Sequence, residues 1–477
     1  MTGGMEIYVI SSTSCFGYCG WNGMVSAVTN GSGLVTAYAY DVMDRVTNIV
    51  WTAADGTSLG GFAYAYDAIG RIVSRNHTLG TNAFSRAYSY DDFDRLAADG
   101  DTAYTYDAAG NRLTMTNASG ATTYTRGAGD RIASWAGGSY AHNTAGCVTR
   151  IVRGADTIDL TWNSQYQLVS VATNGIFAES YAYDALGRRV STTTLEGTIR
   201  HVYDGVQCIA DMDSNGDVVA SYTWGSGIDN LLAVHVNGST YYPLTDIQGT
   251  VWGYVDASNN IVARFTYDAL GNILSATSSV PALVRNRYRF QCREWSAATG
   301  LINFRARWYD PVTGRWISKD PIGLSGGLNL YAFCGNDPVN GFDPFGHCSD
   351  DDWLDWIHTG LDVIGTFDPS PISDGLNALI YADEGDWINA AISATAMIPY
   401  AGDLAKAGKY GTRAAKAINA KAGVSIIQTG GHTLKPSTLK ALGMSKGEGK
   451  KAIEALKREN GLPNDWHGKI GSDGSVF

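Results

Sequence analysis

"YAYDALGRRV", residues 181–190, is the stretch whose reading decides the fold. Tyr181 and Tyr183 stand two positions apart, so an extended strand carries both rings on one face. Asp184 and Gly187 then make a turn. The Asp carboxylate accepts a backbone N–H two residues on, and the glycine supplies a positive φ. Arg188, Arg189 and Val190 open the returning strand. The unit is one β-hairpin, and a lone hairpin is marginal in water.

The unit recurs. "YAYDVMDRV" starts at Tyr38, "YAYDAIGRI" at Tyr64, "YSYDDFDRL" at Tyr88, "YTYDAAGNRL" at Tyr104 and "FTYDALGNIL" at Phe265. Weaker copies begin at Tyr140, Leu160, His201 and Leu244, and neighbouring copies step by 16 to 26 residues, clustering near 20. Repeated hairpins bury their faces by pairing edge to edge into a long curling sheet, which must then close or be capped. The composition agrees: 57 Gly, 11 Pro, 11% aromatic and 17% charged residues suit an all-β chain with many turns and a large core. They exclude a disordered one. A length of 477 residues allows about two to four domains.

At residues 320–346 the repeat gives way to "DPIGLSGGLNLYAFCGNDPVNGFDPFG", in which Asp-Pro-x-Gly occurs twice, 23 residues apart. One reading is structural, since Asp-Pro-x-Gly is a good turn. The other is chemical. Two carboxylates brought close cannot both ionise, so one keeps a proton while the other acts as a base. Such a pair can activate water against a peptide carbonyl. Asp320 and Asp343 are the candidates, with the glycine-rich chain between them able to fold back.

The Y-D-x-x-G-R unit resembles the YD repeat of RHS and teneurin proteins, and residues 287–346 resemble the RHS repeat-associated core. The resemblance implies a mainly β fold. In it YD-repeat hairpins (1–285) spiral into a hollow β-shell and the core (286–346) plugs or closes one end. About a dozen repeats is few, so a partial shell is expected. The resemblance also implies an aspartyl autoprotease built on Asp320 and Asp343, which releases the C-terminal toxin just after the second motif. Here the scissile region is Gly346, His347 and Cys348, with the cut at His347–Cys348 and His347 standing where Leu is usual.

Beyond the core, residues 347–420 read as a helical linker, with apolar residues at three- and four-residue steps in "DDWLDWIHTGLDVIG". The last segment, 421–477, reads as small and α+β. "SKGEGKKAIEALKRENG" carries a capping box, Ser445 with Glu448, and Gly461 as C-cap. His467 and Lys469 lie on one strand face. A histidine can move a proton near neutrality, and a lysine can steady a phosphoryl oxyanion. His432 is a second acid–base candidate, and Lys435, Lys450, Lys451, Lys457 and Arg458 are phosphate contacts. This set suffices for metal-free cleavage of RNA through its 2′-OH, and no Asp/Glu/His set has convincing metal spacing, so neither metal nor cofactor is expected. The segment is similar to barnase/colicin-type ribonuclease toxins. It stops after about one hairpin, which leaves a truncated toxin or a different kind of tail.

Charge follows the same division. Residues 348–405 hold eleven acids and no Lys or Arg, whereas 421–477 hold nine Lys/Arg and five acids. The seven cysteines show no paired spacing, which suggests free thiols. No signal peptide is legible, and no window reaches 18 apolar residues, so no integral membrane segment is expected. The resemblance implies a secreted or cell-surface protein used in competition between bacteria. Its implied partners are an immunity protein, secretion machinery or a missing N-terminal delivery domain, and RNA in the target-cell cytoplasm. The competing reading is a non-enzymatic shell or adhesion protein with an inert tail.

Overall fold

The structure, a computed structural model, describes residues 24–284 and 287–347, preceded by the strands Val9–Ile10 and Ser14–Tyr18. The linker and tail expected after residue 347 lie outside the described residues, as do Cys348, His432, Lys435, Lys450, Lys451, Lys457, Arg458, His467 and Lys469. Strands follow one another in chain order, each antiparallel to the next. Twelve strands from Val9–Ile10 to Gly120–Thr123 make one sheet. Sixteen from Thr125–Arg126 to Ile273–Ser278 make a second, and four from Glu294–Trp295 to Arg315–Trp316 a third. The mainly β expectation is met.

Each repeat folds as its residues dictate. Strand Ser58–Tyr66 runs into the turn Asp67–Gly70 and returns as Ile72–Leu79. Asp67 Oδ1 accepts the N–H of Ile69 at 3.1 Å and of Arg71 at 2.9 Å, and Gly70 sits at φ +95°. The same geometry recurs at Asp91, Asp107 and Asp184. The arginine that closes the turn does more than begin a strand. Arg71 Nε binds Asp67 Oδ2 at 2.7 Å, and its guanidinium lies 4.5 Å over the ring of Tyr90 in the next repeat. Tyr90 in turn donates its hydroxyl to the carbonyl of Ile72 at 2.5 Å. Tyr66 to Val46, Tyr106 to Leu96, Tyr183 to Leu168 and Tyr267 to Val251 repeat this bond. Trp162 and Trp224 supply an indole N–H instead, to Val148 and Cys208. The second aromatic of each repeat thus ties it to the one before.

The first aromatic of the pair points into the core. Tyr64, Tyr88, Tyr104, Tyr140 and Tyr181 are buried. The wall curls back on itself, so early repeats meet late ones. Phe62 packs edge-on against Trp252 at 5.4 Å, Ala54 N–H donates to Asn259 Oδ1 at 2.8 Å, and Ala269 N–H donates to Asp99 Oδ2 at 2.9 Å.

Residues 287–347 pack across the D-x-x-G ends of the hairpins. Asn340 Oδ1 accepts the N–H of Ile72 at 2.8 Å, and Asn336 donates to the carbonyl of Gly110 at 2.9 Å. Tyr331 donates to Gly146 at 2.8 Å, Arg189 pairs with Glu294, and Tyr309 donates to Leu270 at 2.8 Å. One segment therefore grips turns from repeat after repeat, which shares a compact unit with them, Met1–Trp353. Its own core is aromatic: Phe290, Phe304, Tyr309, Trp316 and Phe333 are buried together.

Candidate functional site

The strands Ile302–Phe304 and Arg307–Asp310 form a hairpin whose turn is Arg305–Ala306. Arg305 holds φ +60°, and Asn303 Oδ1 accepts its N–H at 3.2 Å. This turn presents Arg307, 1% exposed, to the two D-P-x-G stretches. Arg307 Nη1 lies 2.9 Å from Asp320 Oδ2, and Nη2 lies 3.1 Å from Asp343 Oδ2. Its guanidinium stacks 4.1 Å over Trp316, a face that keeps the fork fixed.

Both carboxyls are buried, Asp320 at 6% and Asp343 at 4% exposure. Asp320 Oδ1 caps its own turn through the N–H of Ile322 at 3.0 Å. Burial pushes its carboxyl above the usual range, against the pull of Arg307 and the Ile322 N–H, and the charge of Asp343 adds to the rise. Asp343 is an acceptor three times over. Its Oδ1 takes the N–H of Gly346 at 2.7 Å and of His347 at 2.9 Å, and its Oδ2 takes Arg307.

The chain that follows Asp343 is held carbonyl by carbonyl. Arg305 donates to Pro344 O, Ala306 N–H to Phe345 O at 3.2 Å, and Arg307 Nε to Gly346 O at 2.5 Å. Gly346 is required there: at φ +73°, an added Cβ would come within 2.6 Å of Phe304 O. Of the residues singled out in the sequence, the structure brings Asp320, Asp343, Gly346 and His347 together.

Sequence reading missed Arg305, Arg307 and Asp229. Asp229, from the loop before strand Leu231–Val236, binds Arg305 through both oxygens at 2.7 and 3.0 Å and accepts Arg293 at 2.8 Å. The signal in "RARWYDP" was two arginines flanking one small residue, but their partners lie far along the chain. A second polar cluster also went unread: His201, Cys208 and Asp211 converge. Arg287 already supplies the cation, 3.0 Å from Asp211 Oδ1 and 2.8 Å from Cys208 Sγ. Burial pushes the thiol up to about 12 and, with Arg287, pulls the imidazole down to about 4. The cluster reads as an ion-pair latch between wall and core.

Comparison with known proteins agrees with this architecture. The chain is 32% identical over 257 residues to the tRNA3(Ser)-specific nuclease WapA of Bacillus spizizenii, covering 51% of this chain and 11% of that protein. It is 28% identical over 324 residues to the double-stranded DNA deaminase toxin A of Burkholderia cenocepacia, covering 59% of this chain and 22% of that one. A Tc holotoxin pore of Photorhabdus luminescens shares the fold with a TM-score of 0.60 at 20% identity, over 70% of this chain and 19% of that chain. The chain thus spans less than a quarter of each of these proteins. The family model described as Teneurin YD-shell matches residues 40–339, well over half of the sequence, and the chain belongs to that family.

Proposed function

We propose that this chain is an RHS-type polymorphic toxin, whose wall and core carry a C-terminal effector and release it by hydrolysis after His347. The observation that carries this reading is the convergence of Asp320 and Asp343 on Arg307, beside the backbone of His347. Asp320, whose carboxyl burial pushes upward, serves as the acid and gives a proton to the His347 carbonyl oxygen. Asp343 takes a proton from water as the water oxygen bonds to the carbonyl carbon. The C–N bond then breaks, the nitrogen takes up a proton, and the products are a carboxyl on His347 and an amine on Cys348. The relatives support a shared carrier with exchangeable cargo: proteins similar to part of this chain are named for different activities, a tRNA nuclease and a DNA deaminase.

The effector is the 421–477 segment behind the 347–420 linker, a metal-independent ribonuclease using His467, Lys469 and His432 in the target-cell cytoplasm. An immunity protein and a delivery apparatus complete the system. The test has two arms. The full chain should appear as two fragments that become one in Asp320→Asn and Asp343→Asn. Residues 348–477 expressed in a bacterial cytoplasm should stop growth, and His467→Ala should relieve it. A wild-type chain that never divides ends the self-cleavage reading. A harmless tail ends the effector reading and leaves the inert shell.

A further inference from the structure

Three successive residues of one turn hold three successive carbonyls of another segment: Arg305 on Pro344, Ala306 on Phe345, Arg307 on Gly346. A slip of one residue would break all three contacts at once. It would also seat a side chain where an added Cβ meets Phe304 O at 2.6 Å and Arg307 N at 2.9 Å. The register of residues 344–346 is therefore fixed by backbone and by a glycine.

The clamp is set from the wall. Asp229 grips the Arg305 fork from both oxygens at 2.7 and 3.0 Å, a bidentate geometry that fixes direction as well as distance. Arg293 holds Asp229 Oδ1 from the core side at 2.8 Å, and the Arg305 guanidinium lies 5.1 Å over the ring of Phe345. Asp229 is 8% exposed, so its geometry depends on the repeat loop being folded around it.

We propose that this clamp, anchored on Asp229, selects the bond that is cut: the first peptide bond beyond the residue following the three gripped carbonyls. The inference rests on the self-cleavage reading. Arg305 and Asp229 act as positioning residues, since they work through each other and through Pro344 O. The clamp also makes release conditional on a folded wall, because a repeat loop supplies its anchor.

Mass spectrometry and N-terminal sequencing of fragments from the full chain test it. The wild-type fragment should start at Cys348. With one alanine inserted between Gly346 and His347, the fragment should start at His347; a start still at Cys348 overturns the clamp. If the insertion leaves the chain whole, His347→Leu and His347→Gly decide: a cut at the 347–348 bond in either supports the clamp, and a cut elsewhere, or none in both, overturns it. Arg305→Ala should give ragged starts and a rate lower by about a hundredfold, with Arg305→Lys recovering a single start. Asp229→Asn should show the same raggedness. A single start at undiminished rate in Arg305→Ala and Asp229→Asn sinks the clamp alone, whereas an uncut wild type sinks self-cleavage itself.

Discussion

Asp320 and Asp343 each place an Oδ2 atom on a different terminal nitrogen of the same guanidinium, at 2.9 and 3.1 Å, although 23 residues separate them in sequence. Arg307 is what makes the two burials compatible. Without it, two like charges would share one buried site. Its fixed fork also holds Gly346 O, so one side chain orients both the acids and the segment they face.

Replacing Arg307 separates these roles. Arg307→Lys keeps a charge but has no fork to divide between two acids and a carbonyl, so self-cleavage should fall by at least about a hundredfold while the fold survives. Arg307→Met removes the charge from a buried site and should cost about 3–5 kcal/mol of stability. Gel bands follow the first effect and the denaturant midpoint the second. Unchanged cleavage in Arg307→Lys would remove the guanidinium from the chemistry.

Gly346→Ala tests the seat of the cleavage segment. The new Cβ would lie 2.6 Å from Phe304 O and 2.9 Å from Arg307 N, both backbone atoms that cannot swing away. The segment should lift from Asp343, and cleavage should slow by about a hundredfold. The change should leave the strand content of the wall intact by circular dichroism. A normal cleavage rate would show that the close approach is not needed.

The aromatic ladder gives a graded pair of substitutions. Tyr66→Phe loses one hydroxyl bond, to Val46 O at 2.6 Å. Tyr90→Phe loses the bond to Ile72 O at 2.5 Å and also the acceptor for Asn340 Nδ2, which donates to Tyr90 Oη at 2.8 Å and keeps Asp337 Oδ2 at 2.7 Å. The first should cost about 1 kcal/mol and the second about 2 kcal/mol, because two bonds are lost rather than one. Equal losses in chemical denaturation would mean that the bond from Asn340 to Tyr90 adds nothing to the tie between core and wall.

What was legible in the sequence was what is local. Tyr64, Tyr66, Asp67 and Gly70 lie within one hairpin, and alternation and turn chemistry gave their places directly. Arg71 was read only as the start of a strand, because its stacking partner Tyr90 belongs to the next repeat. Asp320 and Asp343 announced themselves by a repeated motif. Arg307 and Asp229 carry no motif. Their meaning comes from contacts spanning 36 and 76 residues, which only the packing of core against wall creates.

Asp268 should contribute less stability as pH rises through the weakly acidic range. Its Oδ1 accepts the N–H of Leu270 and of Asn272, both at 2.9 Å, and its Oδ2 accepts Asn272 Nδ2 at 2.8 Å. Burial nevertheless pushes its carboxyl from 3.8 up to about 6, helped by the nearby charge of Asp99. Because the folded value is the higher one, the folded state binds more protons between about pH 4 and 6, so the contribution of Asp268 is full below that window and lost across it. Asp337, half-buried and likewise raised to about 6, acts in the same direction. Asp268→Asn keeps an acceptor for the two backbone N–H groups but cannot accept Asn272 Nδ2 without a flip. It should be less stable than the parent at pH 4, gain on the parent across the window by on the order of 3 kcal/mol, and be equal or better at pH 7. Denaturant midpoints at the two pH values decide it: parallel pH dependence in both chains would clear Asp268 of any part in the loss.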